Sequence, residues 1–185
     1  MLENLITSKT RIKLLLKFFL NYQTTCHLRG LVTEFGESSN SIRMELLKLE
    51  NAGLLISTLK GNKKLYYANT NYPFFDEINS ILKKVVGIDL IIEQITSQIE
   101  NLDAAYLTGD IAVGKDSKII ELALIGNFLD QEYVNSLIKK AESFLSRKIN
   151  CTILTHEEMI QNYKFKNILL IYETEQYSIS KLSNI

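Results

Sequence analysis

Apolar residues recur at helical spacing through the first fifty positions. In SKTRIKLLLKFFLNY, Ile12, Leu15, Leu16, Phe19 and Leu20 fall on one stripe while Lys9, Arg11, Lys13 and Lys17 lie largely elsewhere, which predicts a helix starting after Ser8, a suitable N-cap. A second helix is expected over CHLRGLVTEFG, with Thr24 and Thr25 as capping residues before it and Gly36 as its left-handed stop. ESSNSIRMELLKLENAG opens on a Ser/Asn cluster, repeats Ile42, Leu46 and Leu49, and stops at Asn51-Ala52-Gly53. Three helices, the last two joined by a very short turn, fit a helix-turn-helix arrangement. The period then shortens to two: Leu55, Ser57 and Leu59 alternate, Gly61-Asn62 supplies turn chemistry, and Leu65 to Ala68 is aromatic and β-prone. This predicts a two-stranded wing whose tip carries Lys60, Lys63 and Lys64 on a mobile loop, within reach of a phosphate backbone or minor groove.

The segment from Tyr72 to Gln98 is strongly helical after its single proline, with Gly87 as a break between two helices. Ile81, Leu82, Val85, Ile88, Ile91, Ile92, Ile95 and Ile99 give it more apolar surface than one face needs, so it is expected to join two domains or form a dimer interface. Beyond it, AAYLTG and IIELALIG read as buried strands and QEYVNSLIKKAESFLSRK as an amphipathic helix. INCTILT reads as a strand, HEEMIQNYKF as a short helix and NILLIYE as a last apolar strand. This alternation predicts a small α/β or α+β domain. Tyr66, Tyr67, Phe74 and Phe75 are expected in the wing and the core between domains. His156, followed by Glu157 and Glu158, is read as a helix start rather than a metal-ligand set.

Composition narrows the class. With 185 residues, 46% hydrophobic, one proline and no net charge, the chain can bury a core and is neither disordered nor collagen-like. The neutral total conceals an asymmetry: residues 1–80 hold 10 Lys+Arg and 7 Asp+Glu, leaving the remainder acidic. No apolar run approaches the roughly 18 residues of a membrane span, and Met1 to Thr10 lacks a secretory pattern, so a cytoplasmic location without membrane attachment is expected. Cys26 and Cys151 lack a CxxC partner and are read as packed free thiols.

LLKLENAGLLISTLKGNKKLYYAN resembles the recognition-helix end and wing of ArsR-like bacterial winged-helix regulators, over about residues 5–72. In such a module the N-terminal part of the third helix enters the major groove, which nominates Ser38, Ser39, Asn40, Ser41 and Arg43, with Lys48 one turn further toward the backbone. Arg43 suits guanine and Asn40 suits adenine, while Lys60, Asn62, Lys63 and Lys64 supply the wing contacts. Ser38 also reads as a helix cap. With only Cys26 and His27 adjacent and no second cluster nearby, metal sensing is not expected and neither a metal nor another cofactor is assigned.

The remainder, through AAYLTGDIAVGKDSKIIELALIG, is similar to the nucleotidyltransferase-like domains that follow winged helices in some regulators. The resemblance implies a glycine loop and a strand bearing two aspartates at i and i+2, which share a face and grip Mg²⁺. Here Gly109 and Gly114 stand at the loop glycines, Asp110 replaces the phosphate-contacting serine, and the aspartates correspond to Ile119 and Glu121. The site therefore reads as degenerate.

These readings converge on an α+β chain: a winged helix-turn-helix over 1–76, a linking or dimerising helix over 77–99, and a nucleotidyltransferase-like α/β domain over 100–185. The expected function is a sequence-specific transcriptional regulator that binds double-stranded DNA as a homodimer, with an unidentified small-molecule ligand as a further partner, and that is not an enzyme. Active nucleotidyl transfer, or a DNA-independent protein-interaction module, is the alternative.

Overall fold

The computed structural model describes residues 6–163 and 168–177, which divide into two compact units: 6–85 with Gly114–Asp116, and Val86–Val113 with 117–163 and 168–177. The architecture is mixed α+β, with one sheet in each unit. Lys164 and Phe165 of the expected short helix and Asn167 of the expected last strand lie outside the described residues.

In the first unit, helix α1 (Lys9–Leu15) starts where Ser8 accepts a hydrogen bond from the Arg11 amide at 3.2 Å. It runs on as a π-helical turn over Leu16–Leu20, all five residues buried. That includes Lys17, whose burial is sustained by the Glu34 carboxylate 2.9 Å from its Nζ. The second helix begins later than its periodicity predicts. Cys26–His27 is a short strand, β1, and α2 spans Leu28–Phe35 without a side-chain cap, ending at left-handed Gly36. The reason is a long-range pairing: Cys26 and His27 lie opposite Tyr66 and Leu65, which gives the backbone a sheet partner in place of a helical turn.

Helix α3 (Ser39–Asn51) is capped by Ser38, which accepts from the Ser41 amide at 3.1 Å, and buries Ile42, Leu46 and Leu49. Strands β2 (Leu55–Lys60) and β3 (Lys63–Ala68) form a hairpin in which Lys60 faces Lys63, so the turn is only Gly61-Asn62. The expected mobile lysine loop is corrected accordingly: Lys60, Lys63 and Lys64 are strand residues at the hairpin end, because the register carries the ladder to the last possible pair. The sheet order is β1-β3-β2.

Helix α4 (Phe75–Val86) places Asp76 and Glu77 in its first turn and Lys83 and Lys84 in its last, complementing the helix dipole. Phe75 stacks on Phe19 with centroids 5.4 Å apart, whereas Phe74 is 60% exposed, so the core role expected for Phe74 is not realised. Gly87, at φ 96°, separates α4 from α5 (Ile88–Gln94), and a 3₁₀ turn follows at Thr96–Gln98. The backbone conformation at Gly87 calls for glycine, and a Cβ there, 2.4 Å from a Leu145 methyl carbon, would also have to push that side chain aside. Gly87 thus divides the linking segment over 77–99 into two helices, at the break its position in the sequence predicts. Of the eight apolar residues named above for this segment, Leu82, Ile88, Ile91 and Ile95 are buried, Val85, Ile92 and Ile99 are half-buried, and Ile81 is exposed at 52%.

The second unit holds a four-stranded sheet in the order β6-β5-β4-β7, formed by β4 (Leu102–Thr108), β5 (Ile119–Gly126), β6 (Lys148–Leu154) and β7 (Leu169–Glu173). β5 and β6 run parallel through helix α7 (Gln131–Phe144), and the other pairs are antiparallel. Asp130 caps α7, accepting from the Glu132 and Tyr133 amides. Ala104, Tyr106, Ala123 and Ile125 pack with Leu154, Met159 of α8 (His156–Tyr163) and Tyr177, while the alternate positions Ala105, Leu107, Leu122 and Leu124 are equally buried. Burial on both faces explains why these strands read as continuous apolar runs.

Candidate nucleic-acid interface and nucleotide site

The side of α3 away from Ile42, Leu46 and Leu49 carries Asn40, Arg43, Met44, Leu47 and Lys48, all exposed. Ser39 and Arg43 join Arg29 of α2 and Asn62 and Lys63 of the hairpin around a groove of about 830 Å³, floored by Leu46, Leu47 and Tyr66. Arg43, Lys60 and Lys63 have no ion-pair partner among the described residues.

The other nominated residues are held within the unit. Ser38 is occupied as the cap of α3, and Ser41 sits 3.0 Å from the Thr10 hydroxyl, on the side of α3 that faces α1. Lys48 binds Glu45 at 3.2 Å, and Arg11 Nε binds the same carboxylate at 2.7 Å, tying α1 to α3. Burial opposes ionisation there, but hydrogen bonds from Arg11 and Lys48 hold the Glu45 carboxyl below its ordinary range. Lys64 binds Glu50 at 2.8 Å and lies over the Tyr66 ring. Hydrogen bonds from Lys64 and Ser57 hold Glu50 low, and Glu50 raises Lys64 in return. Lys64 thus braces the hairpin against α3, leaving Lys60 and Lys63 as its open cations.

Sequence reasoning passed over Arg29, Met44 and Leu47. Met44 is 48% and Leu47 37% exposed, and the signal was available: neither falls on the Ile42/Leu46/Leu49 stripe.

In the second unit, Ile119 and Glu121 share the exposed face of β5 with buried Ile120 between them, as the i, i+2 spacing requires. Glu121 lies opposite Thr108, and the chain turns directly into the short helix α6 (Gly109–Ala112). Gly109 has φ 63°, a backbone conformation that favours glycine, and a Cβ there would lie 2.5 Å from the Glu121 carboxyl carbon, so the turn runs close against this carboxylate. Asp110 is exposed beside it, and Gly114 falls within the first unit.

No group of three or more His, Cys, Asp or Glu able to hold a metal ion occurs among the described residues. With Ile119 beside Glu121, the strand offers one carboxylate where a paired Mg²⁺ site needs two, so these residues do not fit that cation. A cavity of about 900 Å³ in the same unit is lined by Asp103, Glu173 and Glu175 and lies away from Gly109 and Glu121; its carboxylates disfavour a triphosphate. His156 starts α8, and its Nδ1 lies 2.9 Å from the Tyr177 hydroxyl. Burial pushes the Cys151 thiol up to about 12, which makes it a packing group rather than a nucleophile.

No family model and no curated relative matches the chain. Among solved structures, a toxin–antitoxin with AMP-PNP is similar at 19% identity and a TM-score of 0.41, over 52% of this chain and 85% of that one. A mutant of the toxin–antitoxin MntA-HpeT is similar at 19% identity and a TM-score of 0.40, over 52% and 84%. TrmBL2, an archaeal chromatin protein described with a novel mode of DNA binding, is similar at 12% identity and a TM-score of 0.29, over 87% and 72%. The expectation that the chain is not an enzyme is withdrawn beside these toxin–antitoxin neighbours, one of them described with AMP-PNP. No helix among the described residues is long and apolar enough to cross a membrane.

Proposed function

We propose that the first unit is a winged-helix module that binds double-stranded DNA, with α3 in the major groove and the β2–β3 hairpin on the backbone, and that the chain acts in transcriptional regulation. The observation that carries this reading is the groove between α2, α3 and the hairpin, where Arg43 and Lys63 are exposed without ion-pair partners among the described residues. Unpaired cations around a concavity attract a polyanion, and the duplex backbone is one.

The experiment is selection of bound duplexes from a random pool, followed by affinity measured against salt. Lys60→Ala and Lys63→Ala are each expected to weaken binding to all sequences alike and to lower the salt slope by about 1. Selection of no duplex, with salt-independent retention of a protein partner, would favour the interaction-module alternative instead.

A second reading, nucleotidyl transfer by the second unit, is favoured by one feature: the glycine turn at Gly109 packed against the Glu121 carboxylate. It is tested by incubating the whole chain with each labelled nucleoside triphosphate, Mg²⁺ or Mn²⁺, and protein, RNA or small-molecule acceptors. Transfer that is lost in Glu121→Ala is the expected result on this reading; absence of transfer under every condition removes it.

A further inference from the structure

The exposed line of α3 is not uniformly polar. Asn40, Met44, Leu47 and Asn51 follow one another at i, i+4, i+7 and i+11, so they form a single ridge opposite the buried Ile42, Leu46 and Leu49. At the centre of the ridge two large apolar side chains face solvent, Met44 at 48% and Leu47 at 37% exposure. Cations flank them: Arg43 and, across the groove, Lys63 of the hairpin on one side, and Lys48, bound to Glu45, on the other. An apolar protein surface would have to bury these charges, whereas a polyanion neutralises them, so the surroundings select nucleic acid as the occupant. Within the major groove the apolar group that a base pair presents is the C5-methyl of thymine.

We infer that Met44 and Leu47 read thymine methyl groups, giving the chain a preference for neighbouring T·A pairs beside the base pair contacted by Arg43. This rests on the DNA-binding reading above and adds its sequence class. Residues three apart on a helix are surface neighbours, about 5 to 6 Å between Cβ atoms, so Met44 and Leu47 are placed to address methyl groups on neighbouring base pairs. Asn40, one turn back on the same ridge, has the amide that pairs with adenine N6 and N7 and so reads the same class of base pair.

The test leaves the protein unaltered at first. In the duplex selected by the wild-type chain, each thymine is replaced singly by deoxyuridine, which removes only the methyl group and keeps the base pairing. Affinity is expected to fall by about fourfold at each of two neighbouring positions, the equivalent of about 0.8 kcal/mol for one buried methyl-sized group. Met44→Ala and Leu47→Ala are then each expected to abolish the deoxyuridine penalty at one of the two positions while leaving the salt slope unchanged. If the selected duplex binds equally well with deoxyuridine throughout, the methyl-reading inference fails and the DNA reading stands. If the wild-type chain binds no duplex at all, both fail together.

Discussion

Arg43→Ala is expected to weaken binding to the preferred duplex by about 1 to 3 kcal/mol, roughly 5- to 150-fold, and to relax discrimination at one base pair. The size follows from the state of the side chain. Arg43 is exposed on α3, lines the groove, and has no ion-pair partner among the described residues, so no intramolecular bond must break before it meets a base. A guanidinium presents its donors as a rigid fork matching guanine O6 and N7, and its removal leaves those acceptors unpaired in a desolvated interface. Lys48 and Lys64 differ in this respect, because both already serve carboxylates of their own unit. The measurement is a competition series against duplexes altered one base pair at a time, for the wild type, Arg43→Ala and Arg43→Lys. Lysine keeps the charge and loses the fork, so it is expected to retain the salt dependence while losing the base preference. Equal affinity of all three proteins for every duplex would remove Arg43 from the interface.

Phe19→Ala is expected to destabilise the first unit by about 3 to 5 kcal/mol, the range for removing a buried aromatic side chain. Phe19 is fully buried in the π-helical turn that extends α1, and its ring stacks on Phe75 at 5.4 Å. Its carbonyl accepts from the Asn79 side chain, so it also helps to seat α4. Alanine there leaves a cavity and forfeits the ring contact, which contributes about 0.5 to 1.5 kcal/mol beyond area. Amide hydrogen exchange across α1, α3 and α4 reads the effect, and Phe19→Leu is expected to lose substantially less. A set of typical domains has only 5 to 15 kcal/mol in total, so the alanine variant is also expected to lose DNA binding at moderate temperature. Unchanged protection in those helices would show that the unit's stability does not depend on this packing.

What the sequence determined by itself about this protein is local. Ser8 and Ser38 as caps, Gly36 as a helix stop, Gly61-Asn62 as a two-residue turn, Gly87 as a break and the i, i+2 placement of Ile119 and Glu121 all rest on contacts or geometry within a few residues of chain, where spacing is decisive. The exposure of Arg43 was legible for the same reason, since helical position alone puts it outside the buried stripe. What only the tertiary structure decided involves partners chosen across distance. Cys26 and His27 became strand because Leu65 and Tyr66 lay alongside, and β7 joined β4 rather than a strand nearer in sequence. Ser41, Lys48 and Lys64 looked as available for DNA as Arg43, yet Thr10, Glu45 and Glu50 hold them. A charge or hydroxyl has the same periodicity whether or not it meets a partner, and a pattern of hydrophobicity carries no information about which polar groups the folded chain brings within hydrogen-bonding distance.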